Sequence, residues 1–280
     1  MGNCNPNNKK YDSIKESKDG KVKSNLPPEP IWTFKDGKHH NKNGNTWTGE
    51  IKNDNPEGEG VYQFKDGEKY EGKMINGNFE GKGIFYHKDQ GRYEGEYKND
   101  KRHGKGVFYF PSGDRFEGEY KDAQRNGKGI YYYVNGAKFE GEFANGEKNG
   151  KGIYYYVNGA KFEGEYKNNE MHGFGVYTSS THTFEGMYLN NLRHGYGKLI
   201  ILNPLTKKFI GAYEGEYRNG KYNGEGLHKI YREDESIEIC RGTFKDGKRH
   251  GFCKVELIEN NEKRIFYEGF YHEGYPIPPK

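Results

Sequence analysis

The 280-residue chain carries 45 Lys and Arg against 41 Asp and Glu, with 42 glycines and 25 tyrosines. Leu, Ile, Val and Phe together supply only 48 residues, too few for the thick interior of a helical bundle or a doubly wound α/β enzyme. The even charge balance excludes the basic stripe of a nucleic-acid binder, and no stretch approaches the ~18–20 apolar residues that span a bilayer.

In chain order, residues 1–30 read as a flexible leader that opens Met1-Gly2-Asn3-Cys4-Asn5-Pro6. Gly2 offers an acceptor amine for a myristoyl chain once Met1 is removed, and Cys4 offers a thiol for palmitate. The motif asks for Ser or Thr at position 6, where this chain has Pro6. One acyl chain gives marginal membrane binding, whereas two chains, or one chain with basic residues, make a stable anchor. Residues 5–24 hold six lysines against Asp12, Glu16 and Asp19, a bias that favours anionic lipid. The plain alternative is a disordered polar leader. Cys4, Cys240 and Cys253, with no apolar segment after Met1, argue for a reducing, cytosolic compartment and against a disulfide framework.

From residue 31 a repeat governs the chain. The motif aromatic-Glu-Gly-Glu-aromatic, with variants, begins at Trp47, Tyr70, Tyr93, Phe116, Phe139, Phe162, Phe184, Tyr213, Cys240 and Tyr267, at intervals of 23, 23, 23, 23, 23, 22, 29, 27 and 27 residues. A Gly-x-Gly block falls between copies, and residues 127–142 and 150–165 are identical. Alternation places Tyr93, Gly95 and Tyr97 on one strand face and Glu94 and Glu96 on the other. The polar segment Lys98–Gly104 reads as a turn, and the following strand stops at Pro111-Ser112-Gly113-Asp114. Recurring glycines inside strands suggest that aromatic rings lie across bare backbone. The expected structural glycines are Gly72, Gly95, Gly104, Gly106, Gly118, Gly127, Gly129, Gly141, Gly150, Gly152 and Gly164. Glu94 and Glu96 are expected to oppose the Lys105 strand in a solvated ladder. The expected fold is all-β, an elongated single-layer antiparallel sheet of stacked hairpins, regular over 47–200 and longer over 201–280. Leu227–Thr243 and Lys254–Phe270 read as the longer hairpins, serving as a cap or a partner site.

The pattern Tyr-Glu-Gly-Glu-Tyr, then His-Gly-Lys-Gly-Val, carried by Tyr93, Glu94, Gly95, Gly104 and Gly106 and their equivalents, resembles the MORN (membrane occupation and recognition nexus) repeat over about residues 31–280. Departures are Thr48, Met187, the Cys240-Arg241-Gly242-Thr243 copy and Cys253. The resemblance implies stacked hairpins and a scaffolding role, as in junctophilins, radial-spoke head proteins and non-catalytic segments of plant lipid kinases.

Chemistry finds little support in the residues. Gly-Lys-Gly does not continue into a phosphate-binding loop. The slot of His103, His172, His194 and His250 holds Asn126, Asn149 and Asn223 in other copies, as suits a turn residue and not a ligand. Cys240, Cys253 and His250 lack a fourth zinc ligand, and the glutamates recur in equivalent settings that set no acid apart from a base. No catalytic residue, metal or cofactor is therefore assigned. The aromatic face reads as a surface that one layer cannot bury, and hence as the partner-binding surface. Its rings are Tyr70, Tyr93, Tyr97, Phe116, Tyr120, Phe139, Phe143, Phe162, Tyr166, Phe184, Tyr213 and Tyr217. The functional expectation is a non-enzymatic scaffold tethered to the cytoplasmic side of a membrane, binding other proteins or a second copy of itself, with no nucleic acid. The alternatives are a cytoskeletal or ciliary axonemal component and a phospholipid-binding or lipid-kinase-regulating module.

Overall fold

A computed structural model describes residues 32–278, which form 23 strands and no helix. Gly2, Cys4 and the rest of the leader lie outside the described residues. Two compact units divide between Lys148 and Asn149. Every strand pairing within them is antiparallel, so the fold is all-β, built of stacked hairpins.

Turn chemistry sets the hairpins. Strands Gly91–Lys98 and Lys101–Tyr109 are joined by Asn99 and Asp100, at φ +48° and +64°. Two successive left-handed residues make the type I′ turn whose twist matches the strands, and Asn and Asp tolerate that conformation. The turn expected over Lys98–Gly104 is thus confined to two residues. Lys101, Arg102 and His103 already pair with Lys98, Tyr97 and Glu96. At the other end of the strands the chain reverses through Phe110–Asp114, where the Gly113 N–H donates to the Phe110 carbonyl at 3.0 Å.

Register then aligns the glycines. In the first unit Gly60, Gly72, Gly83, Gly95, Gly106, Gly118, Gly129 and Gly141 face one another pairwise from strand to strand. In the second unit the row begins Gly152, Gly164, Gly175, Gly186. The preceding glycine of each Gly-x-Gly has a separate task. Gly104, Gly127 and Gly150 take φ of +61°, +106° and +108°. At Gly104 and Gly127 a Cβ would strike the carboxylate of Glu96 or Glu119. These sites accompany a register shift just past Gly95 and Gly118, a recurring β-bulge.

The bulge alters the charged ladder. Glu94 faces Val107 and Glu96 faces His103, so both oppose the Lys105 strand as expected, but neither opposes Lys105 itself across this hairpin. Instead Glu96 Oε1 accepts the Lys105 backbone N–H at 3.1 Å. Some ion pairs run along single strands, as in Arg92–Glu94 at 2.8 Å and Lys69–Glu71 at 2.6 Å, while others cross between strands, as in Lys198–Glu214 at 3.9 Å. In the second unit the two longer hairpins form as read, from strands Lys221–Tyr231, Ile237–Lys245, Lys248–Glu259 and Glu262–His272.

Asp100 also ties its turn to the preceding hairpin. Its Oδ1 accepts the Phe79 N–H at 2.8 Å and its own N–H donates to the Phe79 carbonyl at 3.2 Å. Burial, more than any neighbouring charge, raises its pKa from 3.8 to about 6. A carboxyl with a folded pKa above its unfolded value takes up a proton on folding, so its contribution is favourable below about pH 4 and is lost as pH rises through about 6. Asn191 makes the same bond to the Met171 N–H at 2.8 Å. Asp100→Asn should therefore be more stable than the parent at pH 7 by roughly 1–2 kcal/mol, the advantage vanishing by about pH 4. Thermal melts at both pH values check this, and a parent as stable as the variant at pH 7 would count against a desolvated carboxylate. The glycines give a second comparison. A Cβ on Gly129 would lie within 3 Å of the Phe116 ring, whereas at Gly136, with φ +89°, it would meet nothing. Gly129→Ala should cost about 3 kcal/mol through overpacking and Gly136→Ala only about 1 kcal/mol through backbone strain. Equal costs in urea unfolding would refute the packing argument.

Candidate functional site

The paired glycines form the bed on which each ring lies. The Tyr93 ring covers Gly95 of its own strand and Gly106 of the next, and its hydroxyl donates to the Glu96 carbonyl at 3.2 Å. Rings then meet edge to face. Tyr93 packs on Tyr97 at 5.2 Å and on Tyr120 of the following copy at 5.0 Å, and Phe116 packs on Tyr120 at 5.5 Å and Phe143 at 4.9 Å. The second unit repeats the arrangement, with Phe162 on Tyr166 at 5.5 Å and on Tyr188 at 4.9 Å, and with Phe184 on Tyr217 at 5.0 Å. Such contacts contribute about 0.5–1.5 kcal/mol each beyond the area they bury.

A third component was not legible as such in the sequence. The residue nine positions after each ring folds over it as a lid. Phe79 stacks on Tyr70 at 3.8 Å and Tyr222 on Tyr213 at 3.7 Å. Arg102 sits 5.7 Å from the Tyr93 centroid and 5.3 Å from that of Tyr120, Lys148 lies 5.2 Å from Phe139, and Arg193 lies 4.5 Å from Phe184. Each cation is attracted to the ring face. The Arg102 Nη2 donates to the Ala123 carbonyl at 2.7 Å, while the Ala123 N–H donates to the Arg102 carbonyl at 2.9 Å. The turn of one copy thus holds down the lid of the copy before it. The available signal was the recurrence of Arg102, Arg125, Arg193 and Arg249 at one offset, in positions otherwise resembling a polar turn.

Glycine bed, edge-on neighbour and lid together bury the rings. Tyr70, Tyr93, Phe116, Phe139, Phe162, Phe184 and Tyr213 are fully covered, and Tyr97, Tyr120, Phe143, Tyr166 and Tyr217 are at most 6% exposed. This corrects the expectation of an open aromatic stripe. In this structure the twelve rings offer a partner almost no surface, because neighbouring copies and lids fill the space that a second layer would otherwise occupy. The Cys240 copy shows the same volume rule with other atoms. Cys240 stands in the ring slot and Cys253 in the glycine slot facing Gly242, and both are wholly buried. Burial, above all, pushes the Cys240 thiol up to about 12, leaving it a poor nucleophile.

The opposite sheet face is the accessible one. Its central row pairs Lys82 with Glu96, Lys105 with Glu119, and Lys128 with Glu142 in the first unit, and Lys151 with Glu165 in the second. Further along the second unit the row becomes Phe174 facing Met187, and then Tyr196 facing Glu216. Phe174, Met187 and Tyr196 are 47%, 42% and 58% exposed. These residues were passed over in the sequence because Met187 was noted only as a departure from the motif and attention went to the ring slots. Aligning the copies shows the exchange directly.

Tyr97 and Tyr217 have buried hydroxyls without a hydrogen-bond partner, while Phe143 and Phe244 fill the same slot in other copies. Burial holds both phenols well above their ordinary pKa. Removing an unpaired buried hydroxyl relieves a desolvation cost of about 1–3 kcal/mol, so Tyr97→Phe should match or exceed the parent in stability. A loss above about 1 kcal/mol in urea unfolding would show that the hydroxyl has a partner.

The MORN repeat family model matches nine segments: residues 47–69, 70–92, 93–115, 116–138, 139–161, 162–183, 184–201, 213–229 and 240–255. They begin where nine of the ten copies begin, and the match does not extend to the copy at Tyr267. No curated protein sequence matches the chain. Among solved structures, a mutant of the TCP10 domain of CPAP from Danio rerio is similar at 10% identity and a TM-score of 0.33, over 82% of this chain and 96% of that one. Matched over more than half of its length, the chain belongs to the MORN repeat family.

Proposed function

We propose that the chain is a non-enzymatic scaffold, anchored through acyl chains on Gly2 and Cys4 to the cytoplasmic face of a membrane, that holds other proteins on its sheet. The observation that carries the scaffold reading is the division of labour between the two faces. One face is consumed by its own rings, glycines and lids, while the other is solvated and carries exposed apolar residues among charges. Family membership supports an interaction role for such repeats. The anchor reading rests on Gly2 beside Cys4 and the lysines that follow.

A structural component of a cytoskeletal or ciliary assembly is the rival. Fractionation of cells expressing the full chain separates the two. The parent should pellet with membranes and be released by mild detergent, hydroxylamine should remove a thioester-linked chain from Cys4, and Gly2→Ala should move to the soluble fraction. A Gly2→Ala variant that stays in the membrane pellet overturns the anchor, and detergent-resistant retention with microtubules favours the rival. Flotation of the Gly2→Ala variant on vesicles, persisting at high salt, would instead point to lipid recognition by the repeats, since surface charge attraction is screened.

A further inference from the structure

Two departures from the motif fall in a single contact. Every other ring slot from Trp47 to Tyr267 is aromatic, and every other second glycine of the Gly-x-Gly blocks, from Gly60 to Gly226, is Gly. The copy that begins at Cys240 has cysteine in both places, at Cys240 and Cys253. In the other copies the ring lies on that glycine, as Tyr93 lies on Gly106 and Phe116 on Gly129, so a side chain in the second slot must touch whatever fills the first. Register agrees. Cys253 faces Gly242 and Cys240 faces Val255, which makes the cysteines diagonal neighbours across strands Ile237–Lys245 and Lys248–Glu259. The Cys240 thiol donates to the Cys253 sulfur, and the Cys253 thiol donates to the Thr243 carbonyl at 3.4 Å. Volume alone admits Ala, Ser or Val in either slot, whereas two thiols in contact add a chemistry that none of those residues has.

The surroundings set when that chemistry can occur. Neither cysteine meets solvent, and burial raises both thiols above their ordinary pKa, so the closed hairpin holds them protonated and slow to react. Arg249, the lid of this copy, lies close enough to favour both thiolates against that burial. Reaction therefore waits on local opening of the hairpin, which admits a small oxidant and lets a proton leave. In a regular ladder diagonal neighbours lie about 7–8 Å apart at Cα, at the outer edge of what a relaxed bridge spans, about 7 Å. A bond between them is thus strained and readily reduced. Those are the properties of a transient, redox-sensing disulfide in a reducing compartment and not of a structural one.

We propose that Cys240 and Cys253 are a redox-sensitive lock, a dithiol that a peroxide closes reversibly into a disulfide joining strands Ile237–Lys245 and Lys248–Glu259. The Cys253 thiolate attacks one oxygen of hydrogen peroxide, the O–O bond breaks, and the departing hydroxide takes a proton to leave as water. Cys253 is then a sulfenic acid. The Cys240 thiolate attacks its sulfur, the S–O bond breaks, and a second water leaves. The two thiols give up two protons and two electrons, and the peroxide takes both up. Opening by an external thiol reverses the bond through a mixed disulfide.

The test uses the full chain carrying Cys4→Ser, so that the pair holds its only thiols. Under native conditions with excess hydrogen peroxide, peptide mapping should find Cys240 joined to Cys253, with a mass loss of about 2 Da that dithiothreitol reverses. Because opening limits the reaction, urea well below the unfolding midpoint should speed it several-fold. In the oxidised protein the amides of residues 237–259 should exchange with solvent roughly tenfold or more slowly than in the reduced protein. Cys240→Tyr with Cys253→Gly restores the residues that other copies carry, so this variant should fold and show none of these responses. The measurements on the Cys4→Ser chain decide the matter even if it does not fold. Thiols still free after prolonged peroxide, sulfinic acid on either cysteine in place of the bridge, or links between chains overturn the proposal. So does a bridge that forms only in the unfolded chain, or hydrogen exchange that oxidation leaves unchanged. The scaffold reading rests on the sheet faces and stands under any of these outcomes.

Discussion

The structure depends on one contact, an aromatic ring laid flat on two glycines that face each other across a strand pair. Tyr93 on Gly95 and Gly106, or Phe116 on Gly118 and Gly129, brings ring and backbone closer than any Cβ allows. That approach makes a thin sheet sufficient, because a ring lying down needs less cover than one standing up. Cover then comes from a neighbouring ring at right angles and from a lid nine residues on. Few aliphatic residues are needed, which accounts for a composition that would otherwise suggest a chain unable to fold.

The hairpin turns serve the same contact. The type I′ turn at Asn99-Asp100 and the bulge beside Gly104 set the register that brings Gly95 opposite Gly106. The bulge also brings the Glu96 carboxylate onto the Lys105 backbone amide, so keeping the motif's second glutamate serves geometry as well as solubility.

Much of the fold was legible. The 23-residue spacing, the alternation in Tyr93–Tyr97 and the turn at Pro111–Asp114 all correspond to strands and reversals in the structure. The length of the Asn99-Asp100 turn was misread because Lys101, Arg102 and His103 are polar, and polarity alone does not distinguish a loop from a strand whose charged residue lies over a ring. The same ambiguity hid the lids, and without the lids the rings read as exposed. Arg102 as a single residue resembles solvated surface. Only its distances to Tyr93 and Tyr120 show that it closes the interior. The apolar surface at Phe174 and Met187 was present in the letters, but its meaning required knowing which face points outward.

The hydrogen bond from each turn to the preceding lid, as between Ala123 and Arg102, has an evolutionary consequence. Because a copy completes its neighbour through main-chain atoms and through slots that accept Arg, Lys, Met, Phe or Tyr, a block of 23 residues can be duplicated in place with its joints already compatible. The identical stretches at 127–142 and 150–165 look like such an event. The number of copies is then a heritable dial that spacing can turn by unequal exchange. Specificity is written afterwards, by point changes on the outward face that leave the interior joinery untouched.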